Sequence, residues 1–349
     1  MSTAPKFALV GAGVIGKHHG MVMSQLPGQV ELAAVVDVAS ERAEALAAER
    51  GGTPYASLEA ALAAQEIDVV VVCTPTGKHG EIAIAALEAG KHVIIEKPAE
   101  ITVARTDEII RAQQKAGTLV TVISQHRFDP ATERTLEAIG NGELGRITSG
   151  IASIDWWRGQ SYYDSGGGRG TWELDGGGAL MNQGVHTVDL LIAALGRPVE
   201  VVAYTGTLAH ERIEVEDVAV GLVKFAGGAL GVLHATTAAY PGLSARLQVH
   251  GDRGSAVIDN DQLAFFEVTE AGGKPEEKLM GVTESRAVPT AGSDPGQLSD
   301  AHRLQYLNFL GALDGTEEVR VDLATNRQSI GVITGAYESA RTGRPVTLS

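Results

Sequence analysis

Through the first third of the chain, short apolar runs alternate with longer alanine-rich segments of helical period. The runs Lys6–Val10, Glu31–Val36, Asp68–Cys73, His92–Ile95 and Leu119–Ile123 are expected to be strands. Helices are expected between and after them at Val14–Gln25, Ser40–Arg50, Ser57–Ala64, Gly80–Ala89 and Thr102–Ala116. A run as uniformly apolar as Val69-Val70-Val71-Val72 fits a parallel sheet with helices on both faces. Residues 1–125 therefore read as a doubly wound α/β domain.

After Gln125 the texture changes. A helix is expected at Ala131–Gly140, a strand at Arg146–Trp157, a glycine-rich loop at Gly159–Gly177 and a helix at Ala179–Leu195. The strands Val199–Leu208, Val215–Phe225, Ala229–Ala238, Ala245–His250 and Ser255–Ile258 then follow without helices between them. Such succession predicts a largely antiparallel sheet. Glu270–Gly296, rich in glycine, proline and charge, reads as a long loop, and helices at Ser299–Leu313 and Thr325–Arg341 close the chain. Residues 126–349 thus read as a second, α+β domain, with a C-terminal helix able to pack back on the first.

Composition narrows the function. A length of 349 residues suits about two domains, and 44% hydrophobic with 20% charged residues is globular. The net charge of −15, without a basic stripe, argues against nucleic acid and against an anionic membrane surface as partners. An anionic ligand must be met by a local group of arginines. Cys73 is the only cysteine, which excludes an intrachain disulfide and a thiolate metal cluster. No metal is expected, and a cytoplasmic location fits. The run Phe7-Ala8-Leu9-Val10 breaks at Gly11, as a strand entering a turn does and a signal peptide does not. No apolar stretch approaches the ~18 residues of a membrane span.

Gly11-Ala12-Gly13-Val14-Ile15-Gly16 is a GxGxxG between an expected strand and an expected helix. Glycines there permit a tight turn and close approach of backbone to a pyrophosphate, with a helix N-terminus facing the anion. This context makes the first domain a Rossmann dinucleotide-binding domain. Asp37 ends the second strand, where a carboxylate accepts from ribose hydroxyls and repels a 2′-phosphate, so NAD is favoured over NADP. The plainer alternative is that Asp37 caps the next helix. Thr74 and Pro75 end the third strand at the carboxyl edge, where ligands of open α/β sheets bind. His79 follows as a cofactor contact or a packed histidine.

The next strand ends in Glu96-Lys97-Pro98, and here the sequence resembles the glucose–fructose oxidoreductase/inositol dehydrogenase (Gfo/Idh/MocA) family. The resemblance runs over nearly the whole chain. It includes the GxGxxG followed by His18-His19, Thr74-Pro75, the Glu-Lys-Pro triplet, and Gly176-Gly177-Gly178-Ala179-Leu180 opening a helix with His186 and Asp189. It implies a Rossmann domain plus an open-faced mixed sheet, a substrate pocket between nicotinamide and that sheet, and a homodimer or homotetramer built through the sheet. By position, Lys97 corresponds to the family's catalytic lysine and His186 to its catalytic histidine, with Glu96 and Lys97 completing the cofactor contacts. Oxidising an alcohol needs a proton acceptor at oxygen while hydride leaves carbon. A lysine serves only when desolvation or nearby positive charge lowers its ordinary pKa of ~10.4. Where sugar and inositol dehydrogenases of this family often carry aspartate, this chain has Asn182. An amide cannot take a proton, so a Lys–Asp–His relay is not available, although Asn182 can orient a substrate hydroxyl.

All three tryptophans, Trp156, Trp157 and Trp172, fall in one span with Arg158, Tyr162, Tyr163, Asp164 and Arg169 and with Gly159, Gly166, Gly167, Gly168 and Gly170. Aromatic faces suit the apolar face of a pyranose, and the polar neighbours suit its hydroxyls. Asp155, Trp156, Arg158, Arg169 and Trp172 are therefore candidate substrate contacts, while Arg127, Arg158, Arg169 and His302 are candidates to meet an acidic group. The leading expectation is an NAD-dependent dehydrogenase or reductase acting at a ring hydroxyl of a sugar, sugar acid, cyclitol or glycoside. Two alternatives stand: a redox-neutral, NAD-dependent glycosidase acting through a 3-keto intermediate, and a non-enzymatic dinucleotide-dependent sensor.

Overall fold

Six parallel strands build the first sheet: β1 Lys6–Val10, β2 Glu31–Val36, β3 Thr53–Tyr55, β4 Val69–Val72, β5 His92–Ile95 and β6 Val120–Val122. Their order is β3-β2-β1-β4-β5-β6. Alternate residues feed two cores, as the period of a strand requires. Ala8, Val10, Val70 and Val72 enter one, and Phe7, Leu9, Val69 and Val71 the other. Both faces are filled by helices, which is why β4 is wholly apolar and why β1, β2 and β5 are apolar beyond their first residue. The strand order reverses between β1 and β4, so a crevice is expected beyond their carboxyl ends.

The computed structural model of the chain describes residues 4–166, 168–269 and 295–349, with side chains in the last segment from residue 300 onward. The chain divides into two units. One comprises Met1–Gln125, Trp172–Gly176 and Asp294–Ile330; the other comprises His126–Thr171, Gly177–Ser293 and Gly331–Ser349. Segments 172–176 and 295–330 therefore group with the first sheet, where the sequence placed both in the second domain and allowed only a C-terminal helix to pack back on the first. The reason is burial: Tyr306 and Phe309 enter one core of the first sheet, and Leu323 and Ile330 the other. The loop expected at Glu270–Gly296 lies outside the described residues up to 294.

The second sheet has eight strands: β7 Ile147–Asp155, β8 Pro198–Gly206, β9 Val218–Phe225, β10 Leu230–Thr236, β11 Ala245–Gly251, β12 Gly254–Asp259, β13 Gln262–Val268 and β14 Val346–Thr347. They run in the order β13-β12-β11-β7-β10-β9-β8-β14. The pairing of β7 with β10 is parallel and the other pairings are antiparallel. One face packs under the helix Val185–Leu195. Leu191 keys into it, because a Cβ at Gly150 or Gly231 would come within 2.8 or 3.0 Å of its methyl groups. The opposite face is partly exposed, with Val220, Leu222 and Leu230 at 47%, 56% and 58%.

Three strands escaped the sequence reading. β3 holds three residues, one of them a proline, which suits only an edge strand, and β14 is two residues long. β13 lies at the sheet's edge with most of its residues exposed, so burial imposed no pattern on it. The helix expected at Ala179–Leu195 is two elements: a π-helical turn at Ala179–Gln183, then the α-helix from Val185. A short helix, Gln160–Asp164, interrupts the expected glycine-rich loop.

Candidate active site

The first unit assembles three turns at the carboxyl edge of its sheet. Ladder bonds extend past the strands, from Gly11 N to Val36 O, Cys73 N to Val10 O and Glu96 N to Val72 O. They set the turns after β1, β4 and β5 side by side. Gly11 has φ +101°, and a Cβ there would come within 2.5 Å of the Cys73 carbonyl oxygen. A Cβ at Gly16 would overlap the Gly11 carbonyl, so these two glycines are fixed by close packing of helix, turn and strand. Gly13 is different: a Cβ there would meet nothing within 4 Å. It precedes the helix Val14–Ser24, whose start no side chain caps. Donor-rich, uncrowded backbone at a helix N-terminus fits a pyrophosphate. Two apolar residues at this edge, Val14 and Val38, are 82% and 96% exposed, and Thr74 Oγ1 is buried without a hydrogen-bond partner. Each is a feature that a bound dinucleotide would complete.

Asp37 has two tasks rather than one. Its Oδ2 accepts from Ala12 N within the glycine turn and its Oδ1 from Ala39 N, both at 2.8 Å. Each oxygen keeps a second acceptor position for ribose hydroxyls. The candidate contact His79 is corrected. Its ring is 1% exposed and its two nitrogens face the carbonyl oxygens of Pro98 and Thr74 at 2.8 Å, which ties the turns after β4 and β5 together. Pro75 begins the short 3-10 turn that leads to it.

Glu96 is 4% exposed and holds the Lys97 turn from beneath, its Oε2 accepting from Lys97 N at 3.0 Å. Its Oε1 faces His19 Nε2 at 2.8 Å, and Tyr306 Oη lies 2.7 Å from His19 Nδ1. Burial alone would raise the Glu96 carboxyl, but hydrogen bonds from His19 and His302 hold it well below the usual range. Burial lowers His19, so a neutral imidazole accepting from Tyr306 and donating to Glu96 accounts for both contacts. His302, expected among the substrate residues, is 4% exposed and stands 3.7 Å from Glu96 Oε1. Trp172 belongs to this unit and is 45% exposed, and Leu174 nearby accepts from Gly77 N at 2.9 Å.

In the second unit, Gly178 opens the π turn. Four successive N–H groups there would otherwise be unpaired, and two residues satisfy them. Gly178 N donates to Glu216 Oε2, Ala179 N to the Glu216 carbonyl, Leu180 N to Glu216 Oε1, and Met181 N to Tyr337 Oη. Tyr337 in turn donates to Glu216 Oε1 at 3.0 Å. A Cβ at Gly177 would overlap the Tyr337 hydroxyl, and one at Gly178 the Glu216 carbonyl. Those two glycines exist to admit this clamp. From Gly176 to Ile192 every residue is buried except Asn182 and His186. The turn therefore offers a ligand two side chains, an amide and an imidazole.

Around them stand further polar groups. The rings of His126 and His186 meet edge to face at 5.0 Å, and His126 Nδ1 lies 2.8 Å from Asp129 and 3.0 Å from Asp261. Burial would lower His126, but the two carboxylates raise it to about 10 and keep it charged. Two substrate candidates have other duties. Arg127 is held by Asp189 through Nε at 2.6 Å and Nη2 at 2.8 Å. Asp155 ends β7 on the open face of the sheet, paired with His234. Trp156, next in sequence, turns to the packed face. Arg158 and Arg169 remain, stacked on aromatic rings of the loop. Sequence reasoning missed Glu216, Tyr337, His126 and Gln183. The adjacent acids Glu216-Asp217 inside an expected strand were the available signal.

Comparison with known proteins agrees with this geometry. Residues 5–124 match the oxidoreductase family with an NAD-binding Rossmann fold, and residues 132–257 match the Gfo/Idh/MocA C-terminal domain. The chain belongs to the Gfo/Idh/MocA oxidoreductase family. Its fold is close to that of the WlbA dehydrogenase from Bordetella pertussis, solved with NADH and UDP-GlcNAcA. The TM-score is 0.86 and the identity 32%, over 99% of each chain. It is also 28% identical to inositol 2-dehydrogenase of Rhizobium meliloti over 99% of each, and 32% identical to D-glucoside 3-dehydrogenase of Escherichia coli over 57% of this chain and 56% of that one. The Gfo/Idh/MocA assignment makes NAD the cofactor of the first unit. Among the described residues, no helix is long and apolar enough to cross a membrane.

Two outcomes are expected. Asp37→Ala should weaken NAD binding by about tenfold or more and narrow the preference for NAD over NADP, since it removes an acceptor, a repulsive charge and a support of the glycine turn. Titration of both dinucleotides checks this, and an unchanged ratio of affinities contradicts it. Burial pushes the Glu216 carboxyl from 4.5 up to about 7, against the pull of its backbone donors. A carboxyl raised in the folded state stabilises it while protonated, and that contribution fades as pH rises through 7. In urea unfolding, the stability of wild type relative to Glu216→Gln should therefore fall between pH 5 and pH 8, on the order of 2–3 kcal/mol. A difference that stays flat with pH contradicts a raised Glu216.

Proposed function

We propose that this protein is an NAD-dependent dehydrogenase or reductase that acts on a ring hydroxyl of a sugar or sugar derivative, with Lys97 as acid/base. The observation that carries the reading is the accessible pair Asn182 and His186 in an otherwise buried turn, in a chain whose other unit presents Lys97 beside a dinucleotide cradle. Bound NAD supplies the hydride acceptor. Lys97 takes the hydroxyl proton as the carbon is oxidised, and returns it in reduction. His186 binds a hydroxyl of the sugar, and Asn182, unable to exchange a proton, orients a neighbouring one. The charged ring of His126 stands edge to face with His186 at 5.0 Å. A sugar is favoured over other alcohols by the aromatic loop and by the relatives, two of which are named as dehydrogenases of an inositol and a glucoside and a third of which was solved with UDP-GlcNAcA.

The test is a panel of sugars and aryl glycosides with NAD, following NADH and released aglycone together. Lys97→Ala and His186→Ala should each lower turnover by roughly two to four orders of magnitude with NAD affinity nearly retained. Near wild-type turnover in the lysine variant removes its assignment. Aglycone release under substoichiometric NAD, with no net NADH, favours the redox-neutral glycosidase. Binding of a sugar without any turnover favours the sensor.

We also infer a homodimer or homotetramer built through the open face of the second sheet. Val202, Leu222, Val232 and Ile151 form an apolar row across four strands there, and Tyr204 beside it is 77% exposed. A second copy of the same face buries this row by self-complementary packing. Light scattering should show an oligomer for wild type and monomer for Leu222→Glu, and a monomeric wild type contradicts the inference.

A further inference from the structure

Two arginines of the tryptophan-rich loop have aromatic partners but, among the described residues, no acidic one. Arg158 Cζ stands 5.0 Å from the centre of the Trp156 ring and 5.5 Å from that of Tyr162. Arg169 Cζ stands 4.5 Å from the same Tyr162 ring. Several other arginines of this acidic chain pair with carboxylates: Arg105 with Glu100, Arg127 with Asp189, Arg134 with Glu143, Arg327 with Asp107. Among the described residues, no carboxylate pairs with Arg158 or Arg169. Asp164, within the same loop, is engaged by Arg212 and Gln160. Arg158 spends an N–H on the Trp157 carbonyl at 3.3 Å, and Arg169 one on Ser165 Oγ at 3.2 Å. Most of the five N–H groups of each guanidinium remain for another acceptor.

The ring faces offset part of the charge of each guanidinium, about 0.5–2 kcal/mol for each. An anion beside either guanidinium would balance the rest. Stacking leaves the planar fork of a guanidinium directed outward, in the geometry that meets carboxylate or phosphate oxygens two at a time.

The pair is also fixed in place. Gln183 Nε2 donates to the Tyr162 hydroxyl at 3.4 Å, and Gln183 follows Asn182 in the π turn. On the other side, His210 bridges Asp217 and the Arg158 carbonyl, and Tyr163 bonds Thr237. The stack is therefore anchored to the turn that exposes Asn182 and His186.

We propose that Arg158 and Arg169 form an anion subsite that recognises a carboxylate or phosphate carried by the substrate. This rests on the sugar oxidoreductase reading only for what the anion is attached to. The experiment is calorimetric titration of the NAD-loaded enzyme with methyl glucoside, glucuronate, UDP-glucose and UDP-glucuronate, with NADH followed in parallel. At least one anionic probe should bind about tenfold or more tighter than methyl glucoside. Tight glucuronate marks carboxylate recognition, and tight UDP-glucose marks phosphate recognition. Arg158→Gln and Arg169→Gln should each shrink the ratio of neutral to anionic Kd by about tenfold. Anionic probes that bind no better than the neutral one, or ratios unchanged in both variants, overturn the subsite. Binding with the predicted ratios but without NADH from any sugar supports the subsite and counts against the oxidoreductase reading, so the two stand or fall separately.

Discussion

Backbone meets backbone at distances that no side chain allows, and both functional regions depend on that constraint. In the first unit, Gly16 presses on the carbonyl of Gly11, and Gly11 on that of Cys73. Helix, turn and adjacent strand are locked into one cradle by these approaches. In the second unit, Gly178 presses on the Glu216 carbonyl and Gly177 on the Tyr337 hydroxyl. A methyl group at any of these points would force the backbone apart, and the cost would fall directly on the positions of ligand-facing groups. Gly13, with open space before it, is the exception that marks where an outside group belongs.

Three buried acids do the complementary work. Asp37 accepts from Ala12 N, Glu96 from Lys97 N, and Glu216 from Gly178 N and Leu180 N. Each carboxylate is spent on the backbone of a functional turn. Burying a carboxyl group, charged or protonated, is costly unless it is hydrogen-bonded. Here the donors are main-chain groups that would themselves be costly to leave unpaired. Acid and turn therefore stabilise each other, and the side chains that face solvent at these turns are held by rigid supports. The His19–Tyr306 bridge extends the support beneath Lys97 by one more layer.

Much of this was legible in the sequence, and the limits have physical causes. The four valines of β4 announce a doubly covered sheet, and GxGxxG after β1 announces the cradle. Lys97 and His186 were singled out through a family resemblance, not through spacing alone, and their roles are proposals. What the sequence concealed is what depends on long-range contact. A π turn and an α-helix share the same apolar periodicity, so the break at Gln183–Val185 left no mark. Glu216 lies 38 residues from Gly178 and Tyr337 lies 156 from Met181, too far for any local pattern to join them. Asp155 and Trp156 looked alike as candidate substrate contacts, yet one residue of register sends them to opposite faces of the sheet. Arg127 looked available until Asp189 came to meet it.

The central claim is that hydride passes between a ring carbon of a sugar and NAD in this site. The direct measurement uses sugars from the active panel carrying deuterium at each ring carbinol carbon in turn, with product and dinucleotide analysed by mass spectrometry. The account predicts one labelled position whose deuterium appears in the reduced nicotinamide, one for each ketone formed. Product that forms while the dinucleotide stays unlabelled and unreduced would contradict it.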